Sequence, residues 1–110
     1  MKIIIDTKDA KKLNSKIFNA IKDDLETWEV EKDNGGFSIY YHSTKSKQWE
    51  NKLYIKPFTT DNDNSKLYFI VTEIDGKIID FEKDFGYLMG RFLEILIVHF
   101  SDYYNKIEIK

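Results

Sequence analysis

The sequence has no cysteine, one proline and five glycines in 110 residues. Without thiols the chain can form no disulfide, no thiolate metal site and no cysteine nucleophile. Long apolar runs are also missing. Arg91, Glu94 and His99 interrupt the longest candidate, near residues 85–100, which is shorter than the roughly 20 residues that cross a bilayer. The sequence therefore predicts a protein that folds without cross-links and has a soluble C-terminal helix in place of a membrane span.

The composition is that of one folded domain. Hydrophobic residues make up 42% of the chain, aromatic residues 15% and charged residues 33%, which provides enough apolar surface for a single core. We therefore expect one domain over residues 1–110. The apolar stretch at the N-terminus is too short for a secretory signal, so the default expectation is a cytoplasmic protein.

Charge is arranged in blocks, although the formal net charge is only −2. Residues 1–22 contain six lysines and two aspartates, whereas residues 23–33 contain six carboxylates and one lysine. A negative net charge argues against general attraction to phosphate and makes nucleic acid an unexpected partner. The acidic block would steer a basic partner, although alternating blocks are also typical of an ordinary soluble surface.

Hydrophobic periodicity predicts two helices and several strands. A stripe of apolar residues at spacings of three and four predicts a helix over about 8–25. A wider apolar arc predicts a second helix that either Asp80 or Asp84 can cap and that runs to about 104. The strand patterns lie at 2–6, 28–32, 37–42, 51–56, 67–74, 77–80 and 107–110. This order predicts an α+β fold, a two-layer sandwich. In it a mostly antiparallel sheet of five to six strands packs one face against an N-terminal and a C-terminal helix.

The dipeptide Asn34-Gly35 sets the predicted faces of the sheet. A two-residue type I′ turn at this point pairs Val30 with Ile39 and Trp28 with Tyr41, so that these apolar residues share the core side. A second hairpin is predicted at Asp75-Gly76 by the same reasoning.

The opposite side of the sheet is then predicted to be an open surface of charged and aromatic residues. Tyrosine and tryptophan among charges are typical of interface hot spots, because their rings bury a large area and keep a polar group. We expect this surface to bind a partner. The predicted binding residues are Glu29, Glu31, Tyr40, His42, Trp49, Lys52, Tyr54 and Lys56.

No motif in the sequence predicts a metal ion or a cofactor. The segment Asp61-Asn62-Asp63-Asn64-Ser65 resembles the start of a calcium loop. However, Lys66 replaces the glycine that the sharp turn requires, and Thr72 stands where a bidentate carboxylate is needed. We therefore interpret this segment as an ordinary polar loop.

Two other pairs of residues are candidates for function. His42 and His99 could act as an acid and a base, but the predicted fold places them in different layers. Gly86 and Gly90, four residues apart on the second helix, would let another backbone approach closely. We interpret this spacing as packing within the chain, with a dimer contact as the alternative.

In size, acidity, absence of cysteine and richness in Lys, Asn, Asp, Ile and Tyr, the chain resembles the small bacterial immunity proteins that block a cognate toxin. The resemblance is one of composition and transfers no residue. It implies a protein whose acidic and aromatic surface occludes a basic toxin domain. We expect a monomer or a homodimer. Two alternatives stay open: a nucleic-acid or small-ligand binding module that uses the open sheet face, and an enzyme that uses His42 with Glu29 or Glu31.

Overall fold

The computed structural model describes residues 2–43, 53–60, 62–79 and 85–110. The predicted binding residues Trp49 and Lys52 lie outside these ranges. Along the described part of the chain the elements are β1 (Ile3–Asp6), α1 (Ala10–Asp23), β2 (Trp28–Lys32), β3 (Ser38–His42), β4 (Tyr54–Thr60), β5 (Asp63–Thr72), α2 (Phe85–Phe100), a 3-10 turn (Ser101–Tyr103) and β6 (Lys106–Ile109).

The strands of the described residues form one sheet in the order β2-β3-β4-β5-β1-β6, and each neighbouring pair is antiparallel. The predicted α+β class, with an antiparallel sheet of six strands and two helices, is confirmed. β2 and β6 are the two edge strands. The β1–β6 pairing is extended by Lys2 and Lys110, which exchange backbone hydrogen bonds of 2.6 and 2.8 Å.

Capping residues set both ends of α1. The Asp9 side chain accepts a hydrogen bond from the Lys12 amide at the start of the helix, the usual role of an N-cap aspartate. Leu13, Ile17 and Ile21 recur on one face and are buried. Burying a side chain of this size stabilises the fold by roughly 1.5–3 kcal/mol relative to leaving it exposed.

Phe92 of α2 lies at the centre of the core. Its ring centre is 4.8 Å from that of Phe69, 5.4 Å from that of Trp28 and 6.3 Å from that of Tyr40. The buried residues of α1 belong to the same hydrophobic cluster. The core therefore joins residues of both helices to the side of the sheet that carries Trp28 and Tyr40.

The first hairpin differs from its prediction by one residue of register. Val30 pairs with Tyr40, and Trp28 pairs with His42. Because side chains alternate between the two faces of a strand, a shift of one residue moves every β3 side chain to the other face of the sheet. The predicted register is therefore wrong, and with it the predicted exposure of Tyr40 and His42.

Asp33 explains the longer loop of this hairpin. Its Oδ1 accepts hydrogen bonds from the amides of Gly35 and Phe37, both 2.9 Å long. The amide of Gly36 bonds to the carbonyl of Asp33 at 3.0 Å, and Gly36 adopts a left-handed φ of +85°. Together these features give a three-residue loop that ends in a glycine bulge, in place of a two-residue turn.

The polar segment 61–65 also differs from its prediction as a loop, because β5 begins at Asp63. Thr60 pairs directly with Asp63, so β4 and β5 form one long hairpin through most of this segment. The predicted strand at 77–80 is reduced, within the described residues, to a single bridge between Ile78 and Thr72. The turn at Asp75-Gly76 itself is present.

Gly86 and Gly90 lie on an exposed side of α2. A methyl group built on either residue would meet no atom of the described chain within 4 Å. The interpretation that their spacing reflects close packing within the chain is therefore wrong for the described residues.

Candidate interaction site at the acidic edge of the sheet

The structure separates the residues that were predicted to bind a partner. Glu29 and Glu31 are exposed on the edge strand β2. In contrast, Tyr40 is 1% exposed, Tyr54 is 2% exposed and His42 is 7% exposed. The prediction that these three side chains form an open surface is wrong, because two of them face the helices after the register shift and the third is buried on the far side of the sheet.

The far side of the sheet, which does not carry Trp28 and Tyr40, is more apolar than predicted. Ile39 on β3 is fully buried there, and Tyr41 packs edge-on against Tyr54 with ring centres 5.9 Å apart. The Tyr41 hydroxyl donates a hydrogen bond of 2.7 Å to Glu29. This side is therefore not the continuous charged surface that the sequence suggested.

Lys56, another predicted binding residue, is half-buried and is held by the first hairpin. Its ammonium lies 3.0 Å from Oδ2 of Asp33 and 4.3 Å from the centre of the Phe37 ring. The lysine and the amide of Phe37 hold the pKa of the Asp33 carboxyl below its usual range. Lys56 is therefore held within the fold, whereas the sequence predicted an exposed binding residue.

His42 and His99 line one groove, contrary to the prediction that they lie in separate layers. The His42 ring packs 5.2 Å from that of Trp28. Burial is the main cause that lowers the pKa of His42; the Arg91 charge adds to this effect, and Glu94 opposes it. Since His42 lies on the opposite side of the sheet from Glu29 and Glu31, the structure does not assemble the predicted enzyme site.

A second groove, of about 710 Å³, runs between the C-terminal end of α1 and the edge strand β2. Its floor contains Phe18, Leu25 and Val30, which are partly buried against the core. Five exposed acidic residues and two lysines also line the groove, and the Glu29 and Glu31 side chains alternate with Val30 and point to the other side of the sheet. We refer to the three apolar residues and the five carboxylates together as the acidic edge. The carboxylates belong to Asp23, Asp24, Glu26, Glu29 and Glu31.

None of these five carboxylates forms an ion pair with a residue of the described ranges. Glu29 and Glu31 were among the predicted binding residues, whereas Asp23, Asp24 and Glu26 were not. The acidic block of residues 23–33 contains these three residues. The sequence pattern does not show, however, that residues before β2 lie beside that strand in the fold. The fold makes this connection because α1 ends beside the start of β2.

Apart from Asp9 at the N-cap and Lys22 in the last turn, the charges of α1 follow the reverse of the order that stabilises a helix. Lys11 and Lys12 lie in its first turn, and Asp23 and Asp24 lie at its C-terminal end, opposed there by Lys22. The helix dipole favours acidic residues at the start and basic residues at the end by about 0.3–1 kcal/mol for each charge. Helix stability therefore does not explain the acidic end of α1, and departures from local rules are expected at functional sites.

The residues that the structure describes contain no group of three or more His, Asp or Glu side chains arranged to hold a metal ion. No helix among them is long and apolar enough to cross a membrane. Comparison with protein-family models, with curated proteins and with solved structures gives no significant match. The function must therefore be inferred from the residues of this chain.

Proposed function

We propose that this chain is a small protein-binding module that occludes a basic protein partner through the acidic edge. The observation that carries the proposal is the groove beside β2, where an apolar floor and five exposed acidic residues meet at one edge of the sheet. Such a groove suits a partner that presents lysine or arginine side chains beside an apolar one. An immunity or inhibitor protein that blocks a basic bacterial toxin in the cytoplasm is the function that fits this surface best.

Charge and apolar area would contribute to different steps of this binding. The groove is lined by five acidic residues and two lysines, and this excess of negative charge would attract a basic surface and accelerate association. The partly buried Phe18, Leu25 and Val30 provide apolar area that an occupant would cover, which would slow dissociation.

The experiment is affinity capture from a lysate of the native host with three forms of the chain. These are the wild type, the edge variant Glu29→Gln/Glu31→Gln, and the control variant Asp102→Asn/Glu108→Gln, which removes the same charge at the opposite end of the sheet. We expect the wild type and the control to retain one basic protein in equimolar amount. The edge variant should lose it, and added salt should weaken its retention by the wild type.

Two results would contradict the proposal. In the first, the wild type retains no protein or retains only RNA. In the second, the edge variant retains the same protein as strongly as the control does, because the carboxylates of β2 would then have no part in recognition.

A second candidate function is nucleic-acid or small-ligand binding through the far side of the sheet. Phe58 and Tyr68 stack there with ring centres 4.9 Å apart and an angle of 9°, and the Lys2 ammonium lies 5.7 Å from the Tyr68 ring centre. Partly exposed rings beside a lysine can stack nucleobases. Fluorescence anisotropy with a labelled single-stranded RNA tests this candidate; absence of binding, or equal binding by Phe58→Ala, removes it.

A further inference from the structure

The backbone of β2 has an outward side that is identified by hydrogen bonds at the two ends of the strand. The amide of Asp33 donates to the carbonyl of Phe37 at 2.9 Å, and the amide of Ser43 donates to the carbonyl of Thr27 at 2.7 Å. In an antiparallel pair the residues that bond to the neighbouring strand alternate with residues that do not. The backbone N–H and C=O groups that point away from β3 are therefore those of residues 28, 30 and 32.

On this edge, Val30 is the residue whose backbone N–H and C=O are both available to another strand. The amide of Trp28 already donates to the carbonyl of Leu25 at 3.4 Å, and the amide of Lys32 donates to the Glu31 side chain at 3.0 Å. For Val30, neither the N–H nor the C=O has a hydrogen-bond partner among the described residues. An open pair of this kind is the template to which another strand adds.

We infer that an extended segment of the partner adds to β2 opposite Val30, and that its sequence there is basic, apolar, basic. This inference rests on the proposed function. A residue paired with Val30 would place its side chain on the same side of the sheet as Val30, above the groove floor formed with Phe18 and Leu25. The residues before and after it would point to the other side, beside Glu29 and Glu31, where lysine or arginine is the favoured neighbour.

The same glutamates disfavour pairing of β2 with a second copy of the chain. An antiparallel β2–β2 pair centred on Val30 would bring Glu29 of one copy opposite Glu31 of the other, and like charges in this position are destabilising. The other edge strand, β6, lacks this selectivity, because Glu108 already pairs with Lys106 at 2.9 Å and with Lys110 at 3.4 Å. Charge therefore selects a basic strand at β2.

The test uses the blocked peptide Ser-Lys-Val-Lys-Val-Lys-Ser and two N-methylated forms of it. Methylation of both valine nitrogens blocks the hydrogen bonds that would face Val30. Methylation of the two outer lysine nitrogens adds the same number of methyl groups on the side that faces solvent, and so provides the matched control. Binding is measured by calorimetry, and hydrogen exchange of the Val30 amide is measured by NMR.

We expect the parent peptide and the lysine-methylated control to bind the wild type and to slow exchange of the Val30 amide at least about tenfold, as a new hydrogen bond does. The valine-methylated peptide should bind about tenfold more weakly or worse, the effect of losing about 1.4 kcal/mol. A charge-reversed peptide with glutamate in place of lysine should not bind.

Equal binding by the valine-methylated and parent peptides would overturn strand addition and would leave the proposed function standing, since basic segments would still bind at the acidic edge. If instead the parent peptide does not bind the wild type, or binds Glu29→Gln/Glu31→Gln equally well, this inference fails, while the capture experiment decides the proposed function separately.

Discussion

The carboxylate of Asp33 joins its own loop to Lys56 on another strand. Its Oδ2 lies 3.0 Å from the Lys56 ammonium, while its Oδ1 accepts the amides of Gly35 and Phe37. One side chain therefore sets the length of the β2–β3 loop and ties that loop to β4. The register of β3, and with it the choice between buried and exposed tyrosines, depends on this contact.

Asp33→Asn should lower stability most at neutral pH and least in acid. The pKa of Asp33 in the folded protein lies below its ordinary value of 3.8, so its carboxylate stabilises the fold above about pH 4. This stabilisation is lost as the pH falls through the folded-state pKa. Urea denaturation at several pH values should show the stabilities of wild type and variant converging toward low pH.

The matched control is Asp75→Asn in the second turn. Asp75 accepts one amide hydrogen bond, from Lys77 at 2.9 Å, and forms no ion pair with a described residue. Asp75→Asn should lower the free energy of unfolding at neutral pH by less than Asp33→Asn does. An equal loss in both variants would show that the pairing of Asp33 with Lys56 contributes nothing beyond ordinary turn capping.

Thr72→Val should stabilise the protein. Thr72 is fully buried, and its hydroxyl oxygen has no hydrogen-bond partner among the described residues. Removing an unsatisfied buried hydroxyl should raise the free energy of unfolding by about 1 kcal/mol. The same substitution at Thr7 should have the opposite effect, because the Thr7 hydroxyl donates a 2.7 Å hydrogen bond to the carbonyl of Tyr103. Thermal and urea denaturation measure both, and destabilisation by Thr72→Val would contradict the prediction.

Phe92→Ala should be among the most destabilising single substitutions. The Phe92 ring is fully buried and lies against the rings of Trp28, Tyr40 and Phe69, so its removal leaves a cavity that rigid neighbours cannot fill. A loss of about 3–5 kcal/mol is expected. Val98→Ala, at a position 71% exposed on the same helix, should change stability by less than about 0.5 kcal/mol. Similar losses in the two variants would show that α2 packs through a different face.

His42→Phe should make the protein less sensitive to mild acid. Burial lowers the pKa of His42 below its ordinary value of 6.5, so the unfolded chain takes up a proton first as the pH falls. The stability of the wild type should therefore decline from about pH 6.5 downward. Phenylalanine keeps a ring beside Trp28 and removes this titration. The exposed His99 provides the control, because His99→Phe should leave the decline in place. If His99→Phe removes the decline, its assignment to His42 is wrong.

Tyr40 should not ionise in the folded protein below strongly alkaline pH. Burial raises the pKa of its hydroxyl well above the ordinary value of 10.0. Burial also raises the pKa of Tyr54 and Tyr104, so ultraviolet titration should show tyrosines that ionise only together with alkaline unfolding, and Tyr40→Phe should reduce that step by one tyrosine. If every tyrosine ionises before the protein unfolds, Tyr40 is exposed, as the two-residue turn predicts.

Much of the fold could be predicted from the sequence because its helices and strands have strong local patterns. The stripe from Leu13 to Ile21 predicts α1, and the apolar arc around Phe92 predicts α2. The faces of β3 could not be predicted from the dipeptide Asn34-Gly35 alone. The side chain of Asp33 and the left-handed backbone of Gly36 favour a three-residue loop, and one extra loop residue is enough to exchange the two faces.

The candidate site was predicted only in part, for a related reason. Glu29 and Glu31 stay exposed in either register, since β2 is an edge strand and both side chains alternate with Val30. Tyr40 and His42 depend on the register of β3 and were assigned to the wrong side. Local patterns identify which residues alternate, but the side that becomes core is decided by contacts between distant parts of the chain.

The lysine-first, aspartate-last order along α1 has a consequence for how the molecule turns in solution. Lys11 and Asp23 are twelve residues apart on α1 and, at about 1.5 Å per residue, these opposite charges are separated along the helix by about 18 Å. An external field exerts a torque on such a separation. Under the proposed function, the field of an approaching cationic protein would act on this separation with a torque that favours Asp23 and Asp24 leading, and with them the start of β2.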